Sequence, residues 1–284
     1  PALTDKQSNN IVKTALDNGI NWFDTAEAYG FGLSEEKLAK GLQAANVEDK
    51  DIIIATKWMP MMRRAKSIKK TIQNRIDHLS PYTIDLHQIH MPYSFSSFQK
   101  QFDAMADILN EGYIKSIGIS NFSANQMTKA HDILAEKGLV LASNQVNYSL
   151  IKRKIESNGV LDAAKELGVT IISWSPLQSG ILSGKFHKDE QLFEALPSVR
   201  RMRSKKQIRD SQELINTLDS VADSHKSSIA QIALNWLVNY HGDTVVAIPG
   251  ATKASQAESN GKAMSINLSK NELDEIEENS RIFI

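Results

Sequence analysis

Four residues of this 284-residue chain carry chemistry by type and spacing: Asp24, Tyr29, Lys57 and His90. Asp24 and Tyr29 fall at and after the end of one short apolar run, Ile20 to Thr25. Lys57 closes the next run, Ile52 to Lys57, and His90 a third, Ile84 to His90. A tyrosine hydroxyl has a reference pKa of about 10 and is a poor acid at neutral pH. A neighbouring ammonium favours the phenolate and lowers that pKa. A carboxylate can hold the ammonium in place, and a neutral imidazole can orient a carbonyl oxygen. Together the four could protonate an oxygen as hydride reaches its carbon. A lone polar residue at a strand end is usually a solvated loop residue or a satisfied core group. Four of them on three consecutive strand ends are not explained that way.

Other pairings are weaker. His87 and His90 are three apart, which on a strand puts them on opposite faces, so a shared metal site is not expected. Asp24 and Glu27 have the residue types of a glycosidase pair, but no second carboxylate stands out on a later strand.

The elements that must position these groups alternate in period. A helix opens at the Thr4–Gln7 capping-box pair and stops at Asn18-Gly19. Further helices are predicted near 34–45, over the stripe Ile68, Ile72, Ile76, Leu79, and near 98–109, 124–135 and 158–167. After a long irregular stretch come helices near 205–223, 227–240, 253–263 and 270–280. Strands are predicted at the three runs above and at 116–121, 141–147, 170–175 and 245–249. A helix follows every strand, which implies a parallel sheet covered on both faces. No linker or repeat divides the chain, so the expectation is one domain over 1–284, as an α/β (β/α)8 barrel. An eightfold barrel needs one more strand before the first helix. The chain starts at Pro1, and residues ahead of it are expected to be missing from the sequence.

Composition narrows the function classes. Thirty-three basic residues balance 33 acidic ones, which leaves no footprint for nucleic acid or an anionic membrane. The absence of cysteine excludes disulfides, thiolate zinc sites and a cysteine nucleophile, and fits a reducing, cytoplasmic setting. No apolar run approaches 18 residues, and no signal-peptide pattern is present. Gly30-Phe31-Gly32-Leu33-Ser34-Glu35 is a weak dinucleotide fingerprint, because its third position is glutamate. Ile248-Pro249-Gly250-Ala251-Thr252-Lys253 is better placed for phosphate, between the last strand and a helix. The basic run Arg200, Arg201, Arg203, Lys205, Lys206 is either a solvated loop or part of a loop, 186–206, that folds over a cofactor.

Taken in order, GINWFDTAEAYG (19–30), ATKW (55–58), IDLHQIHMP (84–92) and IGISNFS (117–123) resemble the aldo-keto reductase superfamily. SNQVNYSL (143–150), SWSPLQSGILSGK (173–185) and IPGATKASQAESN (248–260) extend the resemblance to nearly the whole chain. The WSP and IPG forms are most similar to the bacterial reductase and potassium-channel β-subunit branch. The resemblance implies a (β/α)8 TIM barrel whose first strand and N-terminal hairpin precede Pro1. It also implies NADPH-dependent reduction of a small-molecule carbonyl substrate, with Tyr29 as general acid, Lys57 depressing its pKa, Asp24 orienting Lys57 and His90 positioning the carbonyl. Ser120, Asn121 and Gln145 would hold the nicotinamide amide, with Trp174 stacked on the ring. Ser175, Leu177, Ser179 and Lys185 would line its ribose and pyrophosphate. Gly250, Thr252, Lys253, Gln256 and Asn260 match the adenosine-phosphate site, which favours NADPH over NADH. Trp58 and Tyr93 are expected at the substrate pocket, with Met91 and Phe95 following the same strand ends, and no metal is expected. The alternative is an NADPH-binding sensor subunit with slow turnover, against which His90 argues. The oligomeric state stays open.

Overall fold

The computed structural model describes residues 3–284. Helix α1 (Asp5–Asp17) begins at the expected capping box, with Thr4 accepting from Gln7 N–H and the Gln7 amide oxygen accepting from Thr4 N–H. Strand β1 (Trp22–Asp24), α2 (Leu33–Ala44), β2 (Ile53–Trp58), α3 (Lys66–Leu79), β3 (Leu86–Ile89) and α4 (Phe98–Asn110) follow. Then come β4 (Ser116–Ser120), α5 (Ala124–Ala135), β5 (Leu141–Asn147), α6 (Val160–Leu167) and β6 (Thr170–Trp174). The rest of the chain contains α7 (Lys185–Lys188), α8 (Glu190–Glu194), α9 (Ser198–Asp210), α10 (Gln212–Ser224), α11 (Ile229–Asn239), β7 (Val245–Ile248), α12 (Ala254–Lys262) and α13 (Lys270–Ser280).

The sheet runs in chain order, β1 to β7, and the β1–β2, β2–β3, β3–β4 and β4–β5 pairings are parallel. All four residues of β3 are buried, as expected of a parallel strand covered on both faces. This is the order of a (β/α)8 barrel, with seven strands among the described residues. The strand and hairpin expected ahead of Pro1 lie outside those residues.

The chain clusters into two compact units. The first takes the described residues up to Val146, with Gly159–Ile172 and Ala251–Glu258. Within it α1 packs on α2, α2 on α3, α3 on α4, α4 on α5 and α5 on α6. The second takes Asn147–Asn158, Ser173–Gly250 and Ser259–Ile284, and within it α10 packs on both α11 and α13.

Three predicted features differ. The stripe of α3 buries Ile68, Ile72, Arg75 and Leu79, so an arginine takes the inward place expected of Ile76. The stretch 186–206 is largely helical rather than a loop, and the single helix expected over 205–223 is divided at Ser211 into α9 and α10. Helix α9 buries none of its residues; its arginines, lysines and glutamine favour helix without a packing face. At the break, buried Ser211 has φ −96° and ψ 7°, and its hydroxyl donates to Ile208 O at 3.3 Å.

Candidate active site

Beyond Asp24 the loop keeps the parallel ladder going: Thr25 N–H donates to Ala55 O at 2.8 Å and Glu27 N–H to Lys57 O at 3.3 Å. Tyr29 N–H closes a turn onto Ala26 O at 3.0 Å, and Thr25 Oγ1 donates to Ser34 Oγ at 2.9 Å, tying the loop to α2. Lys57 is wholly buried in β2. Its Nζ donates to the Asp24 carboxylate and, at 2.8 Å, to Thr25 O. The same nitrogen lies 5.2 Å from the centre of the Tyr29 ring. His90, one residue past β3, is placed by its N–H on Trp58 O at 3.0 Å and meets the Tyr29 ring edge-on, 5.8 Å between centres. The four residues picked out by the sequence therefore converge.

Burial, with the charge of Asp24 second, raises the Tyr29 hydroxyl above its ordinary value. Lys57 had been expected to lower it. The ammonium is paired directly with Asp24, and burial together with the Asp24 charge decides the direction. Tyr29 thus keeps its proton at neutral pH. Burial also lowers Lys57, against the opposing pull of Asp24. Burial and then the Lys57 charge lower His90 to about 4, so its ring is neutral at pH 7 and carries one N–H to donate.

Two amides complete the cluster. Gln145 Nε2 reaches Asp24 Oδ2 at 2.8 Å and Gln88 Nε2 reaches the same oxygen at 3.3 Å. Sequence reasoning missed Gln88. The signal was there: it stands two residues before His90, the spacing that keeps side chains on one face of a strand.

Glu27 is a brace rather than a second working carboxylate. It pairs with Arg63, with Arg75 Nη1 at 2.7 Å, and accepts from Met59 N–H at 2.5 Å. Arg75 Nε also lies 2.7 Å from buried Glu35, which accepts from Thr56 Oγ1 at 2.6 Å. The loops after β1 and β2 are thereby fastened to α2 and α3. Trp58 belongs to this frame: it is 1% exposed, its indole N–H donates to Ser67 Oγ at 3.0 Å, and Arg63 lies over its ring. Its enclosure sets it apart from the pocket position expected for it. Tyr93 is 71% exposed, and Phe95 is exposed beside it in sequence.

The aldo/keto reductase family model matches residues 2–281. An uncharacterized oxidoreductase of Mycobacterium tuberculosis is 32% identical over 276 residues, spanning 97% of this chain and 82% of that protein. The chain belongs to the aldo/keto reductase family. A thermostable aldo-keto reductase solved in complex with the inhibitor epalrestat matches with a TM-score of 0.79 at 27% identity, covering 98% of this chain and 89% of that one. An aldo-keto reductase from Klebsiella pneumoniae, solved in complex with NADPH, shares the fold with a TM-score of 0.74 at 22% identity, covering 96% and 84%.

In this chain, Ser120 Oγ donates to Gln145 O at 2.9 Å. Asn121 adopts a left-handed backbone, φ 63°, from which its amide donates to Ser120 Oγ at 2.9 Å and His90 O at 3.2 Å. Asn tolerates that conformation better than most residues. These groups thus join the cluster of Asp24 and Gln145. Ahead of α12, Gln256 Oε1 accepts from Thr252 N–H at 2.8 Å, Thr252 Oγ1 at 3.1 Å and Lys253 N–H at 3.2 Å. Three donors thus surround one acceptor oxygen beside an exposed lysine.

The second unit carries Trp174, Ser175, Leu177, Ser179 and Lys185 on one continuous stretch. Ser175 and Ser179 have φ of 53° and 54°. Lys185 Nζ lies 4.8 Å from the Phe186 ring centre, and Arg200 donates to Ser179 O at 2.7 Å. Asn260 Nδ2 reaches Pro249 O at 3.4 Å, next to Gly250. No helix among the described residues is long and apolar enough to cross a membrane.

Proposed function

We propose that this oxidoreductase reduces aldehydes or ketones to alcohols with NADPH, using Tyr29 as the general acid. The observation that carries the proposal is a protonated, 44% exposed Tyr29 held beside the Lys57–Asp24 pair and a neutral His90. The residues present fit a nicotinamide cofactor. The three donors around Gln256 Oε1 suit a phosphate oxygen, and Lys253 supplies the positive charge of a 2′-phosphate site. Ser120, Asn121 and Gln145 in the first unit match the donors and acceptors of a carboxamide. In the second unit Trp174 would face the nicotinamide, Ser175, Leu177, Ser179 and Lys185 would hold the ribose and pyrophosphate, and Gly250 and Asn260 the adenosine.

Bound NADPH supplies hydride to the carbonyl carbon. Tyr29 passes its hydroxyl proton to the carbonyl oxygen. Lys57, fixed by Asp24 and Thr25, then stands beside the phenolate and favours it. His90 donates its ring N–H to the same oxygen and orients the carbonyl. Tyr93, exposed beyond β3, is the residue offered as a substrate contact.

The test is an NADPH titration followed by tryptophan fluorescence, then a stopped-flow mix with a simple aromatic aldehyde. Quenching followed by loss of NADPH absorbance is expected. Quenching with no oxidation points instead to a sensor subunit, and no binding at all removes the proposal. Lys253→Ala should weaken NADPH by about 10- to 150-fold, the worth of a charge-assisted bond, and leave NADH unchanged. Equal losses for both cofactors would take Lys253 out of the phosphate site.

A further inference from the structure

Asp24 Oδ1 is taken by Lys57, while Oδ2 has two amide nitrogens around it, Gln145 Nε2 at 2.8 Å and Gln88 Nε2 at 3.3 Å. An ionised carboxylate only accepts hydrogen bonds, so neither glutamine can turn its amide oxygen to that place without meeting another oxygen. Gln145 Nε2 is also 3.4 Å from Gln88 Oε1. Both hydrogens of the Gln145 amide are therefore engaged, one by Asp24 and one by Gln88. Its remaining group, Oε1, accepts from no donor among the described residues. Gln88 is itself fully buried, and its place depends on a missing side chain. A β-carbon built at Gly118 of β4 would lie 2.9 Å from Gln88 Cγ and 2.5 Å from Ser143 Oγ. Glycine at 118 keeps that room open.

We propose that Gln88 is a positioning residue: together with Asp24 it locks the Gln145 amide so that Oε1, an acceptor, is the group offered to the nicotinamide carboxamide. This rests on the nicotinamide reading above. A carboxamide NH2 pairs with Oε1; a flipped Gln145 would offer NH2 to NH2. The orientation of that carboxamide fixes which face of the ring is turned to substrate. One carboxylate then serves two tasks, holding Lys57 beside the proton donor and setting the orientation of the hydride donor.

Calorimetric titrations of NADP+ and of adenosine 2′,5′-bisphosphate, which lacks the nicotinamide, separate this role from simple packing. Gln88→Met keeps the volume and removes the amide. NADP+ should bind about tenfold more weakly, the worth of one hydrogen bond, with the bisphosphate unchanged. Gln88→Glu gives a second handle. At pH 8 its carboxylate faces Asp24 and NADP+ binding should weaken. At pH 5 a protonated carboxyl can again donate, and the NADP+ affinity relative to the bisphosphate should return toward wild type. Loss of both ligands in parallel, an unchanged NADP+ affinity in Gln88→Met, or a pH-independent ratio in Gln88→Glu overturns the proposal. Wild-type protein that binds neither ligand, or binds NADP+ no better than the bisphosphate, overturns the nicotinamide reading itself and this proposal with it.

Discussion

Tyr29 and Tyr148 sit in similar electrostatic surroundings and are handled in opposite ways. Each is raised above its ordinary pKa by burial first and by a nearby carboxylate second, Asp24 for Tyr29 and Glu156 for Tyr148. Tyr148 is closed in: its hydroxyl donates to Glu156 at 2.6 Å and lies 2.7 Å from His241 Nε2. Among the described residues the Tyr29 side chain meets Lys57 and His90 through its ring, and its hydroxyl lies on a 44% exposed residue. The cations beside them repeat the contrast. Arg153, 1% exposed, grips Glu156 with two nitrogens at 2.8 and 2.6 Å and places Nη1 on Ser280 Oγ at 2.7 Å and Glu277 O at 3.1 Å. Every nitrogen of its guanidinium has a partner. Lys57 has three N–H groups and, among the described residues, two acceptors, Asp24 and Thr25 O. A buried charge whose donors are all used is a clamp, here tying the segment after β5 to α13 inside the second unit. One with a donor left over beside an open acid can act on a third group.

The contrast breaks hardest at Tyr29. Tyr29→Phe should lower turnover by about 10²–10⁴-fold, the span of general acid–base catalysis, while the urea midpoint and NADPH affinity stay put. Retained turnover in that variant would dissolve the distinction between the two tyrosines. The clamp should fail the other way. Arg153→Met leaves Glu156 without its arginine in a buried setting, while Glu277 keeps Arg281, and should cost about 3–5 kcal/mol in urea unfolding. Turnover per folded molecule should hold. A variant of normal stability with lost turnover would show that Arg153 serves the site instead.

The two clusters were not equally legible in the sequence. Parallel strands covered on both faces appear as short apolar runs between turns, so β5 and α5 match their predicted spans residue for residue. The polar ends of β1, β2 and β3 stood out against those runs, which is why Asp24, Tyr29, Lys57 and His90 could be named. What the sequence hid depends on partners distant along the chain. Arg75 takes an apolar place on α3 because Glu27 and Glu35, from the loop after β1 and from α2, meet it there. Gln88 looks like an ordinary strand residue until Asp24 and Gln145 are seen around it. Trp58 was expected at the pocket because it follows Lys57, yet Ser67 and Arg63 from beyond β2 enclose it. The direction of the Tyr29 shift also escaped, since burial and then the Asp24 charge decide it.

Acid should separate the two clusters with the gentlest perturbation. His90 is lowered to about 4 by burial and then Lys57, and fully buried His87 to about 3 by burial and then Arg75. The unfolded chain, with histidines near 6.5, binds those protons first, so stability should start to fall as pH drops below about 6.5. For Glu156 burial acts upward, but hydrogen bonds from Arg153, His241 and Tyr148 outweigh it and bring the carboxyl down to about 2 from 4.5. Its contribution is complete above about 4.5 and is lost as pH falls through about 2. Each group adds a slope of up to about 1.4 kcal/mol per pH unit inside its own window. Urea midpoints of wild type and Glu156→Gln should therefore decline in parallel from pH 6.5 to 5 and converge below 4.5, where only the wild type still has the clamp to lose. His90→Asn should remove its own share of the slope in the upper window, leaving that of His87, and leave the lower window unchanged. Convergence that begins above pH 5 would mean that the clamp and the catalytic cluster titrate as one network.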